Sequence, residues 1–217
     1  MTAPPVPPAI AALRKDYALA SLDEGAVSAD PVVQFSRWLE EAIAAGCPEP
    51  TAMSVATVSD AGRPSSRILL LKEISGGALV FYTNYDSRKG RELASNPHAA
   101  LLFHWVELER EVRIEGRVEK GDPAAADAYF NSRPLLSRIG AIASPQSDPI
   151  ESRAWLEERF AAAQAEHGQA PVRPPHWGGY RLLPDSFEFW QGRRSRLHDR
   201  IAYTCSSGNW QRARLAP

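Results

Sequence analysis

The chain has 217 residues, 25 Lys and Arg against 26 Asp and Glu, a formal net charge of -1 and 44% apolar residues. That is enough apolar sequence for a buried core in one large domain or two small ones, and it excludes disorder throughout. Near-neutral charge argues against nucleic-acid binding by bulk electrostatics, so any phosphate recognition has to come from local basic clusters.

Pro4, Pro5, Pro7 and Pro8 cannot support an internal hydrogen-bond ladder, so residues 1–9 are expected to form a flexible arm ahead of one domain over 10–217. Asp30-Pro31 predicts a helix start, with Phe35, Trp38, Leu39, Ala42 and Ile43 buried at helical spacing. From Met53 the period changes to two. Strands are predicted at Met53–Val58, Arg67–Lys72, Ala78–Thr83, Ala99–Trp105 and Arg110–Val118, the first three separated by turns at Asp60-Ala61-Gly62 and Ser75-Gly76-Gly77. In the fifth strand Val112, Ile114 and Val118 share one face, and Glu111, Arg113, Glu115 and Arg117 the other. Helices are predicted after Asp122-Pro123 and from near Glu151, the latter with Trp155, Leu156 and Phe160 inward. Strands return at Gly179–Leu183, Phe187–Gln191, Ile201–Thr204 and Trp210–Leu215, with Ser206-Ser207-Gly208 as the last hairpin turn. About nine antiparallel strands interrupted by helices imply a mainly β fold with helical additions, a closed or split barrel rather than a doubly wound sheet. There is no internal repeat and no Gly-rich dinucleotide fingerprint.

Cys47 and Cys205 form no CxxC pair, and the five histidines include no HExxH, so neither a disulfide framework nor a metal centre is expected. No apolar run approaches the ~20 residues of a membrane span, and the basic start of a secretion signal is missing; a cytoplasmic protein is expected.

Four segments concentrate polar chemistry. Asp86 to Leu93 looks like a short capped helix with Arg88 and Lys89 in its first turn, where the helix dipole favours anions; it reads as a phosphate site or as a solvated basic turn. Arg67 to Lys72 is an apolar strand with a cation at each end, on opposite faces, and such charges also simply mark where a strand leaves the core. Tyr129, Arg133 and Ser137 make a plausible phosphate cup, or a helix end whose arginine neutralises the dipole. Arg196-Leu197-His198-Asp199-Arg200 follows the aromatic run Phe187 to Gln191; Asp199, adjacent to His198, is poorly placed to orient that ring as a triad member.

Taken in order, Arg14-Lys15-Asp16-Tyr17, Pro50-Thr51-Ala52-Met53, Arg67-Ile68-Leu69-Leu70-Leu71-Lys72, Phe81-Tyr82-Thr83-Asn84, Ser87-Arg88-Lys89, Ser132-Arg133-Pro134, Gln146-Ser147, Trp177-Gly178-Gly179, Glu188-Phe189-Trp190-Gln191-Gly192, Arg196 to Arg200 and Arg214-Leu215-Ala216-Pro217 resemble the pyridoxamine 5'-phosphate oxidase family. The likeness covers essentially the whole chain after the arm. It implies an FMN-binding split β-barrel working as a homodimer, with two flavins at the subunit interface. It also implies oxidation of pyridoxamine or pyridoxine 5'-phosphate to pyridoxal 5'-phosphate, with oxygen as acceptor and hydrogen peroxide as product. Carried over by position, Arg67, Ile68, Leu69, Leu70, Leu71, Lys72, Tyr82, Thr83, Arg88, Lys89, Glu111, Gln146, Ser147, Trp190 and Arg200 are expected to contact FMN. Lys72, Tyr129, Arg133 and Ser137 are expected to hold the substrate phosphate. Arg196, Leu197 and His198 are expected to face the substrate, Arg196 and His198 as the catalytic pair, while Arg14, Lys15, Asp16 and Tyr17 close over it. No metal is implied.

Two positions depart from the family pattern: Glu49 stands where aspartate is usual, and Glu111 where glutamine is usual. A carboxylate at 111 would repel an electron-rich reduced flavin unless protonated or paired, for example with Arg110 or Arg113. The rival readings are a flavin oxidase of the same fold acting on another substrate, as in phenazine biosynthesis, and a non-catalytic FMN or pyridoxal-phosphate carrier.

Overall fold

The computed structural model describes residues 10, 12, 13 and 16–217; the arm over 1–9, and Arg14 and Lys15, lie outside the described residues. Helix α1 (Pro31–Ala44) starts where the Asp30 carboxylate accepts from the Val32 N–H at 2.8 Å and Pro31 takes the first turn. Phe35, Trp38 and Ala42 are buried and Leu39 packs at the edge of the same core, but Ile43 is 55% exposed, contrary to expectation. The apolar stripe is wider than the contact, and its last position turns away from the sheet.

Nine strands form one antiparallel sheet: β1 (Ala52–Val58), β2 (Pro64–Leu70), β3 (Glu73–Ser75), β4 (Ala78–Asn84), β5 (His98–Trp105), β6 (Arg110–Lys120), β7 (Trp177–Gln191), β8 (Asp199–Ser206) and β9 (Asn209–Leu215). Their order is β2-β1-β5-β6-β7-β4-β3, with β8 on β7 and β9 on β8. The inward side chains, among them Phe81, Phe103, Val112, Ile114, Leu182, Phe187 and Phe189, are fully buried and make one core with α1. On β6 the expected alternation holds: Val112, Ile114 and Val118 are buried and the charged residues between them face out. Gly76 and Gly77 (φ 57 and 78) form the two-residue turn between the paired Ser75 and Ala78.

Strand β7 decides the architecture. The sequence predicts two strands, over Gly179–Leu183 and Phe187–Gln191, yet residues 177–191 form one, paired with β6 from Tyr180 to Gln191. Its first half also pairs with β4 and its second half with β8. Pro184 is tolerated because it lies opposite Gly116, where the β6–β7 register shifts and no ladder N–H is needed. One strand therefore passes from one half of a split barrel to the other.

The other helices whose bounds lie within the described residues are α2 (Arg88–Ser95), α3 (Pro123–Ser132), α4 (Leu135–Ala143) and α5 (Arg153–His167). Trp155, Leu156 and Phe160 of α5 are only partly buried; Phe160 and Ala163 pack on Ile139 and Ala143 of α4 in a small second core. The sequence does not announce α4, because its cap position is Pro134, which offers no side-chain acceptor. The predicted strand over Arg67–Lys72 instead starts at Pro64 and stops at Leu70. Among the described residues no helix is long and apolar enough to cross a membrane.

Candidate active site

The expected side chains gather in two clusters. The first lies where β2, β4 and the start of α2 meet. Arg67 stands directly opposite the buried Val55 on β1, which places its side chain on the core side of the sheet. Its guanidinium donates to Thr57 Oγ1 (2.6 Å), the Val55 carbonyl (3.1 Å) and Ser65 Oγ (2.6 Å), and lies 3.5 Å from the Glu92 carboxylate. Glu92 also accepts from Thr57, from Ser65 at 2.7 Å and from Arg88 Nε at 2.9 Å. Burial alone would raise the Glu92 carboxyl, but these hydrogen bonds outweigh it and hold the group at about 2. Glu92 is a residue the sequence reasoning missed; its i,i+4 spacing from Arg88 was the available signal.

Lys89 turns back beneath the helix start. Its Nζ donates to Thr83 Oγ1 (2.9 Å), Ser87 Oγ (2.9 Å) and Gln146 Oε1 (2.8 Å), and the residue is only 5% exposed. All three acceptors are neutral. Burial first, and the Arg67 charge second, push Lys89 down from 10.5 to about 8. Arg67 and Arg88 thus share one carboxylate while Lys89, held by neutral groups, lies close enough to feel the Arg67 charge, which leaves an excess of positive charge beside Ser87, the N-cap of α2. Ser147, next to Gln146, is exposed and adopts left-handed backbone (φ 78).

On the opposite face of β4 from Thr83, Tyr82 stacks on Tyr129 at 4.0 Å and on Trp177 at 5.6 Å. The Arg133 guanidinium lies 4.8 Å over the Trp177 ring, and its buried Nη1 has no hydrogen-bond partner among the described residues. Burial lowers the Arg133 pKa. The Lys72 N–H donates to Val80, two residues before Tyr82, and its side chain is exposed, as is Ser137 in the first turn of α4. Of the other strand residues, Leu69 packs at the core edge, Leu71 is buried, and Ile68 and Leu70 are exposed.

The second cluster occupies the other end of β7, on the outer face. Glu111, Trp190 and Arg200 stand side by side across β6, β7 and β8, alternating with the buried Val112 and Phe189. Arg200 forms a two-toothed pair with Glu188 (2.8 and 3.1 Å), Glu188 meets Arg113 at 3.1 Å, and Arg113 contacts Glu111. The contact is an ion pair only, since Glu111 Oε1 takes no hydrogen bond of good geometry. Arg113 therefore neutralises the unusual carboxylate, whereas Arg110 pairs with Glu41 and stacks on Trp38.

The His198 ring lies 4.6 Å from that of Trp190, and Tyr17 sits edge-on to both, at 5.7 Å from Trp190 and 5.9 Å from His198. His198 Nδ1 accepts from the Arg193 backbone N–H at 3.1 Å, which assigns the ring proton of neutral histidine to Nε2. Asp199 does not serve His198; it accepts from Leu22 N–H (3.0 Å), Arg193 (3.1 Å) and Arg214 (2.8 Å). Ser195 and Arg196 both have left-handed backbone (φ 58 and 61), a strained pair that re-aims the loop. With Leu13, Asp16, Tyr17, Arg193 and His198 they line a cavity of about 620 Å³. Leu197 is 69% exposed.

One chain does not bring the clusters together. Gly178, paired with Thr83, and Trp190 are twelve residues apart on β7, a path of up to about 40 Å at ~3.3 Å per residue. The nest also lies on the core side of the sheet and the second cluster on the outer side.

Residues 39–167 match the family described as Pyridoxamine 5'-phosphate oxidase, and residues 177–217 match the Pyridoxine 5'-phosphate oxidase C-terminal dimerisation region. The pyridoxine/pyridoxamine 5'-phosphate oxidase of Herminiimonas arsenicoxydans is 60% identical over 209 residues, 96% of this chain and 99% of its own. That of Acidovorax sp. (strain JS42) is 59% identical over 217 residues, 100% of both chains. The crystal structure of PhzG from Burkholderia lata 383, in complex with tetrahydrophenazine-1-carboxylic acid, superposes with a TM-score of 0.87 at 32% identity, over 92% of this chain and 100% of that one. Since these matches run through both clusters and the strand joining them, the chain belongs to the pyridoxamine 5'-phosphate oxidase family.

Proposed function

We propose that the protein oxidises pyridoxamine or pyridoxine 5'-phosphate to pyridoxal 5'-phosphate, with FMN as cofactor, in a homodimer whose two sites each draw on both chains. The observation that carries the substrate class is Arg133: a partly buried guanidinium stacked on Trp177, whose buried Nη1 has no hydrogen-bond partner among the described residues. A buried charged donor without an acceptor is costly, and a phosphate oxygen would supply both the counter-charge and the missing acceptor. Tyr129 beside it, together with the exposed side chains of Lys72 and Ser137, would complete the donor set.

The same reasoning supports FMN at the first nest. Lys89 is buried against neutral acceptors beside Arg67, so the cofactor phosphate would balance a charge that the chain leaves uncompensated. Arg67, Thr83, Arg88, Lys89 and Gln146 are the residues that would hold it. Bound FMN supplies a two-electron acceptor that oxygen regenerates with release of hydrogen peroxide.

The chain's own contribution is positioning. Two phosphate grips fix the cofactor and the substrate relative to each other, which converts an encounter into a near-attack arrangement. Arg196, held in left-handed backbone, presents its guanidinium to the substrate, and His198 offers its Nε2–H. Tyr17 covers Trp190 and His198 and excludes water. The separation of the clusters within one chain supports a second copy as the source of Trp190, Arg196, His198 and Arg200 for each nest.

The test is an absorbance spectrum with FMN, anaerobic mixing with pyridoxamine 5'-phosphate, and an aerobic peroxide assay. Bleaching of the flavin and peroxide formation are expected. A protein that stays colourless with added FMN, or a flavin that substrate does not bleach, would sink the reading, the latter leaving a carrier. The likeness to PhzG favours a second reading, oxidation of a reduced phenazine carboxylate; turnover of that compound but of neither vitamer would replace the first.

A further inference from the structure

Residues 16–24 cross the end of the sheet that carries the second cluster, without forming helix or strand. Their backbone is held by side chains distant in sequence. The Ala18 and Leu19 N–H groups both donate to Glu109 Oε2, at 2.8 and 3.0 Å. Further on, the Leu22 N–H donates to Asp199 at 3.0 Å and the Leu22 carbonyl accepts from Arg214 at 3.0 Å. Glu109 is 7% exposed and ends the turn between β5 and β6 in left-handed backbone (φ 53), which aims its side chain at this strap.

Gly192 forms the other half of the seat. Its N–H donates to the Glu109 carbonyl at 2.8 Å, and a Cβ at this position would lie 2.7 Å from Tyr17 Cβ and 3.0 Å from Glu109 Cβ. Those neighbours sit next to main chain and cannot swing aside as a long side-chain end could. A methyl group fits only if the strap moves.

We infer that Glu109 and Gly192 are positioning residues that seat Tyr17 against Trp190 and His198 and thereby set how tightly substrate is held. The inference rests on the oxidase reading for its functional half. Neither residue lines the 620 Å³ cavity, whereas Tyr17, Arg196 and His198 do. When the strap is seated only part of the time, the apparent substrate affinity falls by that fraction, while Arg196 and His198 remain in place for the bound molecules. The expected signature is a KM effect.

The experiment compares Gly192→Ala and Glu109→Ala with the parent FMN-loaded protein, by amide hydrogen exchange over residues 17–22 and by steady-state kinetics with pyridoxamine 5'-phosphate. Both variants should retain FMN, lose about tenfold or more in protection of the Ala18 and Leu19 amides, and raise KM about tenfold with kcat changed much less. Glu109→Gln, which keeps an acceptor oxygen, should recover part of both losses. Unchanged protection in Gly192→Ala overturns the seat; lost protection with an unaltered KM overturns its role in holding substrate. If the parent protein oxidises neither vitamer, the oxidase reading has failed and the functional half falls with it, while the exchange comparison still decides the seat.

Discussion

Lys89 shows how one side chain can link burial, pH and ligand. Its ammonium has three neutral partners and a neighbouring guanidinium, and its pKa stands at about 8 against an ordinary 10.5. Below pH 8 the buried charge costs the cofactor-free chain stability, and that cost relaxes as pH rises from about 8 towards 10.5. A phosphate dianion binds the charged form, so if Lys89 holds the FMN phosphate, binding is accompanied by proton uptake above pH 8. FMN affinity of the apoprotein, read by flavin fluorescence quenching, is therefore expected to weaken by up to about tenfold per pH unit above ~8. Lys89→Arg, charged throughout, should flatten that slope, and a slope surviving the substitution would remove Lys89 from the phosphate site. Arg67, Arg88 and Lys89 were legible through the order of family motifs, but Glu92, which ties Arg67 to Arg88, was not. Its role depends on α2 docking beside the β1–β2 hairpin, a tertiary contact.

At the scale of elements, local patterning was a good guide wherever one face is buried. The β6 alternation, the Asp30 cap and the glycine turns follow from the period-two and helical rules alone. It misread β7 because Pro184 carries a local breaker signal, whereas the register shift opposite Gly116 makes the missing N–H harmless. The same bulge leaves no room at Gly116, where a Cβ would stand 2.1 Å from the Leu183 carbonyl oxygen. Gly116→Ala is therefore expected to cost about 1–3 kcal/mol through forced backbone displacement and to lower the melting temperature by several degrees. Calorimetry or thermal circular dichroism would check this; an unchanged melting temperature would mean that the crossing between the two half-barrels has slack.

At the scale of the molecule, the central consequence of β7 is that one chain carries two polar clusters on different ends and faces of the sheet. If each complete site combines the nest of one copy with the Arg196 and His198 cluster of another, damaged chains should complement each other. Lys89→Gln disables the first half-site and Arg196→Leu the second. Each homodimer should be nearly inactive, while a heterodimer contains one site with both lesions and one with neither. Random mixing of the two variants should restore about a quarter of parental activity, because about half the dimers are mixed and each has one intact site. Activity that never rises above the two separate homodimers would mean that each site lies within one chain.

The sequence by itself determined the strand periods, the helix caps, the turn chemistry and, through the ordered motifs, the family to which the chain belongs. These are properties of neighbours a few positions apart, where backbone geometry dictates which side chains share a face. Only the tertiary structure decided that Glu109 holds the amides of Ala18 and Leu19, 91 and 90 positions away, that Asp199 holds Leu22 across 177 positions, and that β7 sends the two clusters to opposite ends and faces. Such pairings are chosen by the packing of the whole sheet, and no local spacing encodes them.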